Sequence, residues 1–237
     1  MPDFVLEATG LHAYYGGSHV IHEVNFSVKL GELVGLMGRN GMGKTTLLRA
    51  MLGFIQKRSG FIKVKGRDMS LAAPHAIARN GIAYVPEGRG IFPNLSAREN
   101  LLMAARPGSG RLRNWMLPDV LDIFPRLAER LDHGGSELSG GEQQMLSIGR
   151  ALLTNPDMLI MDEATEGLAP LVAQQIWETI VTLKDAGMAI VVVDRNFQAL
   201  AELSDKVVIL EKGRTVFEGS GRELRARPRL HQQYLGI

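Results

Sequence analysis

The 237-residue sequence contains no cysteine. That absence excludes disulfide scaffolds, thiolate metal sites, cysteine nucleophiles and iron–sulfur clusters. Long hydrophobic runs are missing too: stretches such as Ala189–Val193 have the length of a strand, far short of the roughly 18–20 residues that span a bilayer. Residues 1–20 include Asp3 and Glu7 and hold no continuous apolar segment, so we expect no signal peptide. We therefore expect an intracellular, soluble chain that reaches a membrane only through a partner protein.

Composition and charge exclude several further classes. Hydrophobic residues make up 45% of the chain and charged residues 22%, which is typical of a globular domain and not of a disordered one. The formal net charge of +2 is too small to indicate nucleic acid as a partner, because duplex binders usually carry a concentrated basic face. The basic stretch Arg222–Arg229 is interrupted by Glu223 and is explained by solvation.

Short apolar strands alternate with helices along most of the chain. Strands are predicted at Glu32–Met37, Gly81–Val85, Met158–Met161, Met188–Val193 and Val207–Glu211, and helices at Lys44–Leu52, Pro170–Asp185 and Phe197–Leu203. This alternation predicts an α/β fold with a largely parallel sheet covered on both faces. The opening strands, Phe4–Ala8 and Val20–Val28, are expected to form a separate antiparallel sheet. Residues 87–154 show helical spacing, with helices predicted at Ala97–Ala105, Trp115–Phe124 and Glu142–Leu153. We therefore interpret them as a helical subdomain inserted between core segments 1–86 and 155–237.

The residues Gly38–Thr45 read Gly-Arg-Asn-Gly-Met-Gly-Lys-Thr and match the pattern G-x-x-x-x-G-K-[ST]. They follow a predicted strand and open a predicted helix, which is the context that this pattern requires. The glycines let successive N–H groups point into one concavity, an anion site at a helix N-terminus. We expect Lys44 to reach the β- and γ-phosphates of a nucleotide and the Thr45 hydroxyl to bind Mg²⁺.

A second element, Met158–Glu163, is an apolar strand that ends in two carboxylates. Ligands of open α/β sheets gather at the carboxyl ends of the strands. We expect Asp162 to hold Mg²⁺ through water and Glu163 to polarise an attacking water. An acidic pair after a strand is more often a helix cap, so the prediction of a nucleotide hydrolase depends on the pairing with Gly38–Thr45.

A third motif, Leu138–Gln144, reads Leu-Ser-Gly-Gly-Glu-Gln-Gln and precedes a predicted helix. Ser139 is a good N-cap, and two glycines leave N–H groups open to a phosphate. With these three motifs in this order, the chain resembles the ATP-binding-cassette (ABC) ATPases. Gly38–Thr45 is similar to their Walker A motif, Met158–Glu163 to their Walker B motif and Leu138–Gln143 to their signature. The resemblance implies a P-loop (RecA-like) core with an antiparallel β subdomain and a helical subdomain.

The resemblance also implies a composite site. In ABC ATPases two cassettes meet head to tail, and each ATP lies between one Walker A motif and the signature of the other cassette. It implies that ATP contacts Tyr15, Gly38, Arg39, Asn40, Gly41, Met42, Gly43, Lys44, Thr45 and Thr46, while Ser139, Gly140, Gly141 and Glu142 contact the ATP of a partner cassette. The implied catalytic residues are Glu163, Arg195 and Lys44, and the implied Mg²⁺ ligands are Thr45, Glu87 and Asp162. Tyr15 matches the aromatic residue that stacks on adenine; Tyr14 is its rival, and either could be a core residue.

Three positions depart from the usual family pattern. Glu87 stands where the family has a glutamine that contacts Mg²⁺ and water, and Arg195 stands where it has a histidine that touches the γ-phosphate. Arginine can donate to a phosphate but cannot accept a proton at working pH. Ala169 replaces the aspartate that usually ends the loop after Walker B. We expect these departures to affect turnover and communication across the dimer, and to leave nucleotide binding intact.

Three segments narrow the resemblance further: Val85–Arg89, Ser139–Arg150 and Gly167–Pro170 are similar to the ATPase subunit of branched-chain amino acid importers, the LivF type. This implies a second ABC ATPase subunit in a homo- or heterodimer, two membrane permeases on the inner face of the cell membrane and, indirectly, an external solute-binding protein. The permeases are expected to dock near Glu87–Ala105, with Phe92 and Leu95 as candidate contacts or as core residues. Importers of urea or short-chain amides, and soluble non-transport ABC ATPases, are the alternatives.

Overall fold

The structure is a computed structural model that describes residues 4–108 and 114–235. Its strands are β1 (Phe4–Tyr15), β2 (Ser18–Lys29), β3 (Leu33–Met37), β4 (Arg58–Val64), β5 (Arg67–Asp68), β6 (Ile82–Val85), β7 (Met158–Asp162), β8 (Ala189–Val193), β9 (Lys206–Glu211) and β10 (Arg214–Gly219). Its α-helices are α1 (Lys44–Met51), α2 (Pro74–Arg79), α3 (Ala97–Leu102), α4 (Leu117–Ile123), α5 (Pro125–Ala128), α6 (Gly140–Leu152), α7 (Pro170–Asp185), α8 (Phe197–Leu203), α9 (Gly221–Arg225) and α10 (Pro228–Leu230). A 3₁₀ turn lies at Gly135–Glu137 and a π-helical turn at His231–Leu235. The predicted domain ranges also include residues 1–3, 109–113 and 236–237, which lie outside the described residues.

The central sheet has the strand order β10-β9-β3-β8-β7-β6. Its neighbouring strands are parallel except for the antiparallel pair β9 and β10. Side chains of β7 alternate between two apolar cores: Leu159 and Met161 belong to one, and Met158 and Ile160 to the other. Both faces of the sheet are therefore buried, as expected for a parallel sheet between helices. The predicted α/β fold with a largely parallel sheet is confirmed.

A second sheet, with the order β2-β1-β4-β5, is antiparallel as predicted. Its first strands are longer than the predicted Phe4–Ala8 and Val20–Val28. β1 continues through Gly10, which adopts a φ of 55° at a register shift against β2; such a bulge lets a strand absorb an irregular residue and carry on. Tyr15 pairs with Ser18 across a two-residue turn, so the hairpin carries Tyr15 at its tip.

The segment between β6 and β7 folds into helices α3 to α6. Their shared core contains Trp115, Val120, Phe124 and Leu127, all buried. Helix α6 packs closely on this core, because a Cβ at Gly149 would lie only 2.7 Å from Val120 Cγ1. The predicted helices Ala97–Ala105 and Trp115–Phe124 are correct in type but too long at their ends, since α3 stops at Leu102 and α4 begins at Leu117.

Parallel pairing brings three loops to one edge of the central sheet. β3 lies beside β8, and β8 lies beside β7. The loop after β3 is Gly38–Gly43, the loop after β7 begins with Glu163, and the loop after β8 contains Asp194 and Arg195. Because ligands of α/β folds bind beyond the carboxyl ends of the strands, this edge is where the candidate site is expected.

Candidate functional site

The loop Gly38–Gly43 leaves β3 in a conformation that only glycine adopts readily. Gly38 has a φ of 139° and Gly43 a φ of 101°. A Cβ at Gly38 would overlap the carbonyl oxygen of Leu210 on β9. The loop therefore passes close to the next strand and then enters α1, which leaves the amide groups at the start of α1 facing the concavity.

Lys44 lies across the mouth of this loop. Its Nζ donates hydrogen bonds to the carbonyl oxygens of Gly38, at 2.7 Å, and Arg39, at 3.1 Å. Burial lowers the pKa of Lys44, and the nearby Asp162 carboxylate opposes that shift. The ammonium group is thus held by weak acceptors that a phosphate oxygen, as an anion, would outcompete.

Asp162 ends β7 in a buried position with incomplete hydrogen bonding. Its Oδ2 accepts a hydrogen bond of 3.1 Å from the Tyr84 hydroxyl, while its Oδ1 has no hydrogen-bond partner among the described residues. Burial raises the pKa of Asp162, whereas the hydroxyl groups of Thr45 and Tyr84 lower it. Burial also raises the pKa of Tyr84, so its hydroxyl stays protonated as the donor. An orphaned carboxylate oxygen beside the Thr45 hydroxyl suits a hard cation such as Mg²⁺.

Glu163 follows in a strained backbone conformation, with a φ of 58°. Its N–H donates to the carbonyl oxygen of Val193 at 2.8 Å, so β8 holds the turn in place. Non-glycine residues in this region are uncommon and concentrate at functional sites. Glu163 shares a cavity of about 360 Å³ with several of the predicted residues, and its lining consists of Met37, Gly38, Arg39, Asn40, Lys44, Glu163, Val193, Asp194, Arg195, Phe197 and Leu235.

Arg195 lines this cavity from the loop after β8. It forms an ion pair with Glu166, a partner that the sequence did not predict. Its Nη2 lies 2.6 Å from Glu166 Oε1. Asp194 ties the same two loops together, since its Oδ2 accepts from the N–H and the hydroxyl of Thr165 at 2.8 and 2.7 Å. The only sequence signal for the ion pair was that Glu166 lies in the loop directly after β7. Tyr84 was likewise missed, because nothing in its sequence context points to Asp162.

The structure distinguishes between the two candidate stacking residues. The ring of Tyr14 stacks on His19, with centroids 4.2 Å apart and an interplanar angle of 16°, and Lys57 Nζ lies 4.9 Å from its centroid. Tyr15 is 47% exposed at the hairpin tip. Tyr15 therefore offers an accessible ring for an adenine, whereas the ring of Tyr14 is already in contact on the protein surface.

Other predicted residues of this loop are less enclosed. Gly41 is exposed, and Thr46 is half-buried within α1. The Met42 carbonyl oxygen accepts from the N–H of Gly213 at 2.9 Å, so Met42 anchors the loop to the turn between β9 and β10.

The signature residues form a separate site. The Ser139 N–H donates to Glu142 Oε2 at 2.8 Å, and the Glu142 N–H donates to Ser139 Oγ at 3.3 Å. This reciprocal cap opens α6. Ser139, Gly141 and Glu142 line a cavity of about 290 Å³ together with Leu171 and Val172. Neither Lys44 nor Glu163 lines this cavity. The structure thus leaves the signature turn apart from the loop Gly38–Gly43.

Glu87 lies outside the cavity that contains Lys44. It is exposed and lines a larger groove of about 710 Å³ that also includes Thr45, Arg49 and Phe92. Glu87 thus lies near Thr45 and Asp162, and the charge of Glu87 raises the pKa of Asp162. The structure leaves Glu87 apart from Glu163 and Arg195.

The geometry combines a glycine-rich loop that opens a helix, a buried carboxylate beside a hydroxyl, and a second capped glycine turn on the same chain. Residues 21–166 match the model of the ABC transporter family, which is more than half of the chain. The chain belongs to the ABC transporter family. As an ABC ATPase it binds ATP and couples its hydrolysis to transport, and ABC cassettes work as dimers with membrane permease components.

Similar proteins place this ABC ATPase with the LivF and BraG type. It is 41% identical over 223 residues to the high-affinity branched-chain amino acid transport ATP-binding protein BraG of Pseudomonas aeruginosa, covering 94% of this chain and 96% of that one. It is 32% identical over 234 residues to the probable branched-chain amino acid transport ATP-binding protein LivF of Archaeoglobus fulgidus, covering 98% and 99%. The lipopolysaccharide export system ATP-binding protein LptB of Escherichia coli K12 is also 32% identical, over 98% of this chain and 97% of that one. A solved structure of an ATP-binding subunit of an ABC transporter superposes with a TM-score of 0.82 at 29% identity, covering 98% and 96%.

Within residues 4–108 and 114–235, none of the helices combines the length and the apolar character needed to traverse a bilayer.

Proposed function

We propose that this ABC ATPase energises the import of branched-chain or related amino acids. The proposal is supported chiefly by the likeness to BraG, which extends over nearly the full length of both chains. The relative LptB, which is named for export, matches at a lower identity of 32%. The cargo is thus proposed from relatives, because no residue of the candidate site would touch a transported molecule.

The phosphate loop and β7 supply the binding chemistry of the proposed cycle. Gly38–Thr46 would hold the triphosphate through backbone N–H groups, and Lys44 would exchange the Gly38 and Arg39 carbonyls for the β- and γ-phosphates. Thr45 and Asp162 would hold Mg²⁺, with Glu87 on the groove side. The bound ion would neutralise charge on the β- and γ-phosphates during transfer.

Glu163 and Arg195 act on the reacting end of the nucleotide in this proposal. The Glu163 carboxylate would orient the attacking water and accept its proton, as a general base does. Arg195 would donate to the γ-phosphate in place of the family's histidine, as a permanent cation that takes no proton. Tyr15 would stack on the adenine ring, which needs no contact with the base edge.

A second cassette completes the site. Ser139, Gly141 and Glu142 line a cavity that excludes Lys44, and with Gly140 between them they would bind the γ-phosphate of the ATP held by the partner cassette. The proposed assembly has two ATPase subunits on the cytoplasmic face of the membrane, two permeases and an external solute-binding protein, without nucleic acid.

The groove of about 710 Å³ is the proposed docking surface for a permease. Phe92 is 46% exposed, Phe54 is 50% exposed and Met103 is 55% exposed, and all three line it. Apolar side chains gathered in one concavity are typical of a protein interface. Leu95, the other predicted contact, is half-buried and does not line this groove, so we assign the docking role to Phe92.

Reconstitution tests the proposed cargo. The chain is purified with the permeases that accompany it, and the complex is placed in liposomes with ATP inside and an external binding protein outside. We expect ATP-dependent uptake of labelled leucine or valine, with a Lys44→Ala complex as the inactive control. Uptake of urea without uptake of amino acids would transfer the assignment to amide importers, and ATP-driven efflux would overturn import.

A further inference from the structure

The loop that carries Glu87 has three consecutive residues in the left-handed backbone region. Gly88, Arg89 and Gly90 have φ angles of 76°, 66° and 58°. Two of them are glycines, which adopt this region readily, but Arg89 is not. A non-glycine residue keeps such a backbone conformation only where its surroundings fix it. The contacts of Arg89 therefore show what holds this loop.

Apart from backbone hydrogen bonds within the loop, the hydrogen bonds of Arg89 and of its neighbour Gly90 lead to one face of α6. Arg89 Nη1 donates to Gln143 Oε1 at 3.1 Å, and the Ser147 hydroxyl donates to the Arg89 carbonyl oxygen at 2.6 Å. Arg150 Nη2 donates to the carbonyl oxygen of Gly90 at 2.6 Å. Gln143, Ser147 and Arg150 are spaced four and three residues apart, which aligns them along a single helical face.

The guanidinium of Arg89 also packs on the signature turn. A Cβ built at Gly140 would lie 3.0 Å from Arg89 Nη2 and 3.3 Å from its Cζ. The side chain therefore covers Gly140 from the same side as the Glu87 loop. A larger residue at Gly140 would displace the guanidinium, so the glycine and the arginine fit together.

We propose that Arg89 is a positioning residue that fixes the signature turn Ser139–Gly141 to the loop of Glu87. Because α6 is joined to this loop at Gln143, Ser147 and Arg150, a shift of Glu87 on binding of Mg·ATP is passed to the start of α6. Arg89 thereby connects the nucleotide of its own cassette to the surface offered to the partner's nucleotide. The inference rests on the proposed function of the phosphate loop and of Glu87.

Hydrogen exchange measured with and without Mg·ATP tests this connection within a single chain. Peptides that cover residues 84–92 and 138–146 are followed by mass spectrometry at a concentration where the protein is monomeric. In the parent, Mg·ATP is expected to slow exchange in both peptides. In Arg89→Ala, ATP affinity stays at the parental value and the response of 84–92 persists, but the response of 138–146 falls well below that of the parent.

Two further variants separate positioning from folding. Arg98→Ala removes an arginine of the same lobe that forms an exposed ion pair with Asp132 at 3.2 Å, and it should respond as the parent does. Exchanging the partners, as Arg89→Gln with Gln143→Arg, restores a side-chain hydrogen bond and should return part of the response. If Arg89→Ala fails to fold, Gln143→Ala provides the same readout with Arg89 in place.

The outcomes are distinct. A parental response of 138–146 in a folded Arg89→Ala protein would overturn the positioning role, as would an ATP-bound parent whose signature peptide never responds. A parent that binds no ATP would instead refute the proposed function.

Discussion

Neutralising Glu166 should make this ATPase bind ATP more tightly. In the structure Glu166 Oε1 lies 2.6 Å from Arg195 Nη2, and Arg195 lines the cavity that contains Lys44 and Glu163. A γ-phosphate that recruits Arg195 must compete with this carboxylate. Glu166→Gln removes the competing charge and keeps the shape of the side chain.

The size of the effect is limited by exposure. The side chains of Arg195 and Glu166 are 61% and 36% exposed, and ion pairs of this kind contribute about 0–1 kcal/mol because solvent screens them. Relief of the competition should therefore tighten ATP binding by at most about fivefold, which corresponds to ~1 kcal/mol. The same limit applies to folding, so the free energy of unfolding should fall by less than ~1 kcal/mol.

Equilibrium binding of ATP and ADP measures this directly. ADP lacks the γ-phosphate, so its affinity should be equal in Glu166→Gln and the parent. Asp132→Asn, which breaks the exposed pair with Arg98 elsewhere on the chain, is the matched control and should leave both affinities unchanged. Weaker ATP binding in Glu166→Gln, or an equal change for ATP and ADP, would refute the competition between Glu166 and the γ-phosphate.

Three further predictions test the roles of single side chains. Lys44→Ala should abolish ATP binding in a titration with fluorescent nucleotide, and retained micromolar affinity would count against the phosphate loop. Tyr15→Ala should weaken ATP and ADP alike by ~1–3 kcal/mol, the value of one stacked base, whereas Tyr14→Ala should not; the reverse pattern would reassign the stacking residue. Asp162→Asn should unfold at a higher temperature than the parent in the absence of Mg²⁺. Burial raises the pKa of Asp162, so ionisation of this carboxylate destabilises the fold once the pH exceeds the ordinary pKa of an aspartate. The same variant should lose Mg²⁺-dependent hydrolysis, and a lower unfolding temperature at pH 8 would contradict the sign of this argument.

The parts of this fold that the sequence predicts well are the ones with strong local signals. β3, β7 and β8 are continuous apolar runs, and the pattern of Gly38–Thr45 requires the strand, loop and helix that the structure shows. The long helices α6 and α7 follow from the helical spacing of their apolar residues. This is why the parallel core and the family could be predicted without coordinates.

The details that were missed depend on residues far apart in sequence. Tyr84 and Asp162 are 78 residues apart, and Arg89 meets Gln143 over 54 residues, so no local pattern links either pair. β1 was predicted too short because Gly10 ends a strand by local preference, whereas pairing with β2 and β4 carries the strand through a bulge. The helices α2 and α5 and the two-residue strand β5 are too short to produce a periodic signal.

The central proposal is that ATP joins two cassettes, and Glu163→Gln provides its most direct test. Removal of a general base should slow hydrolysis by ~10²–10⁴-fold and trap the ATP-bound state. Sedimentation velocity of this variant, alone and mixed with its sister ATPase subunit, should show a doubling of mass with Mg·ATP that disappears when Lys44→Ala is added. If both samples keep the mass of a single chain while ATP is bound at Gly38–Thr45, the account is contradicted.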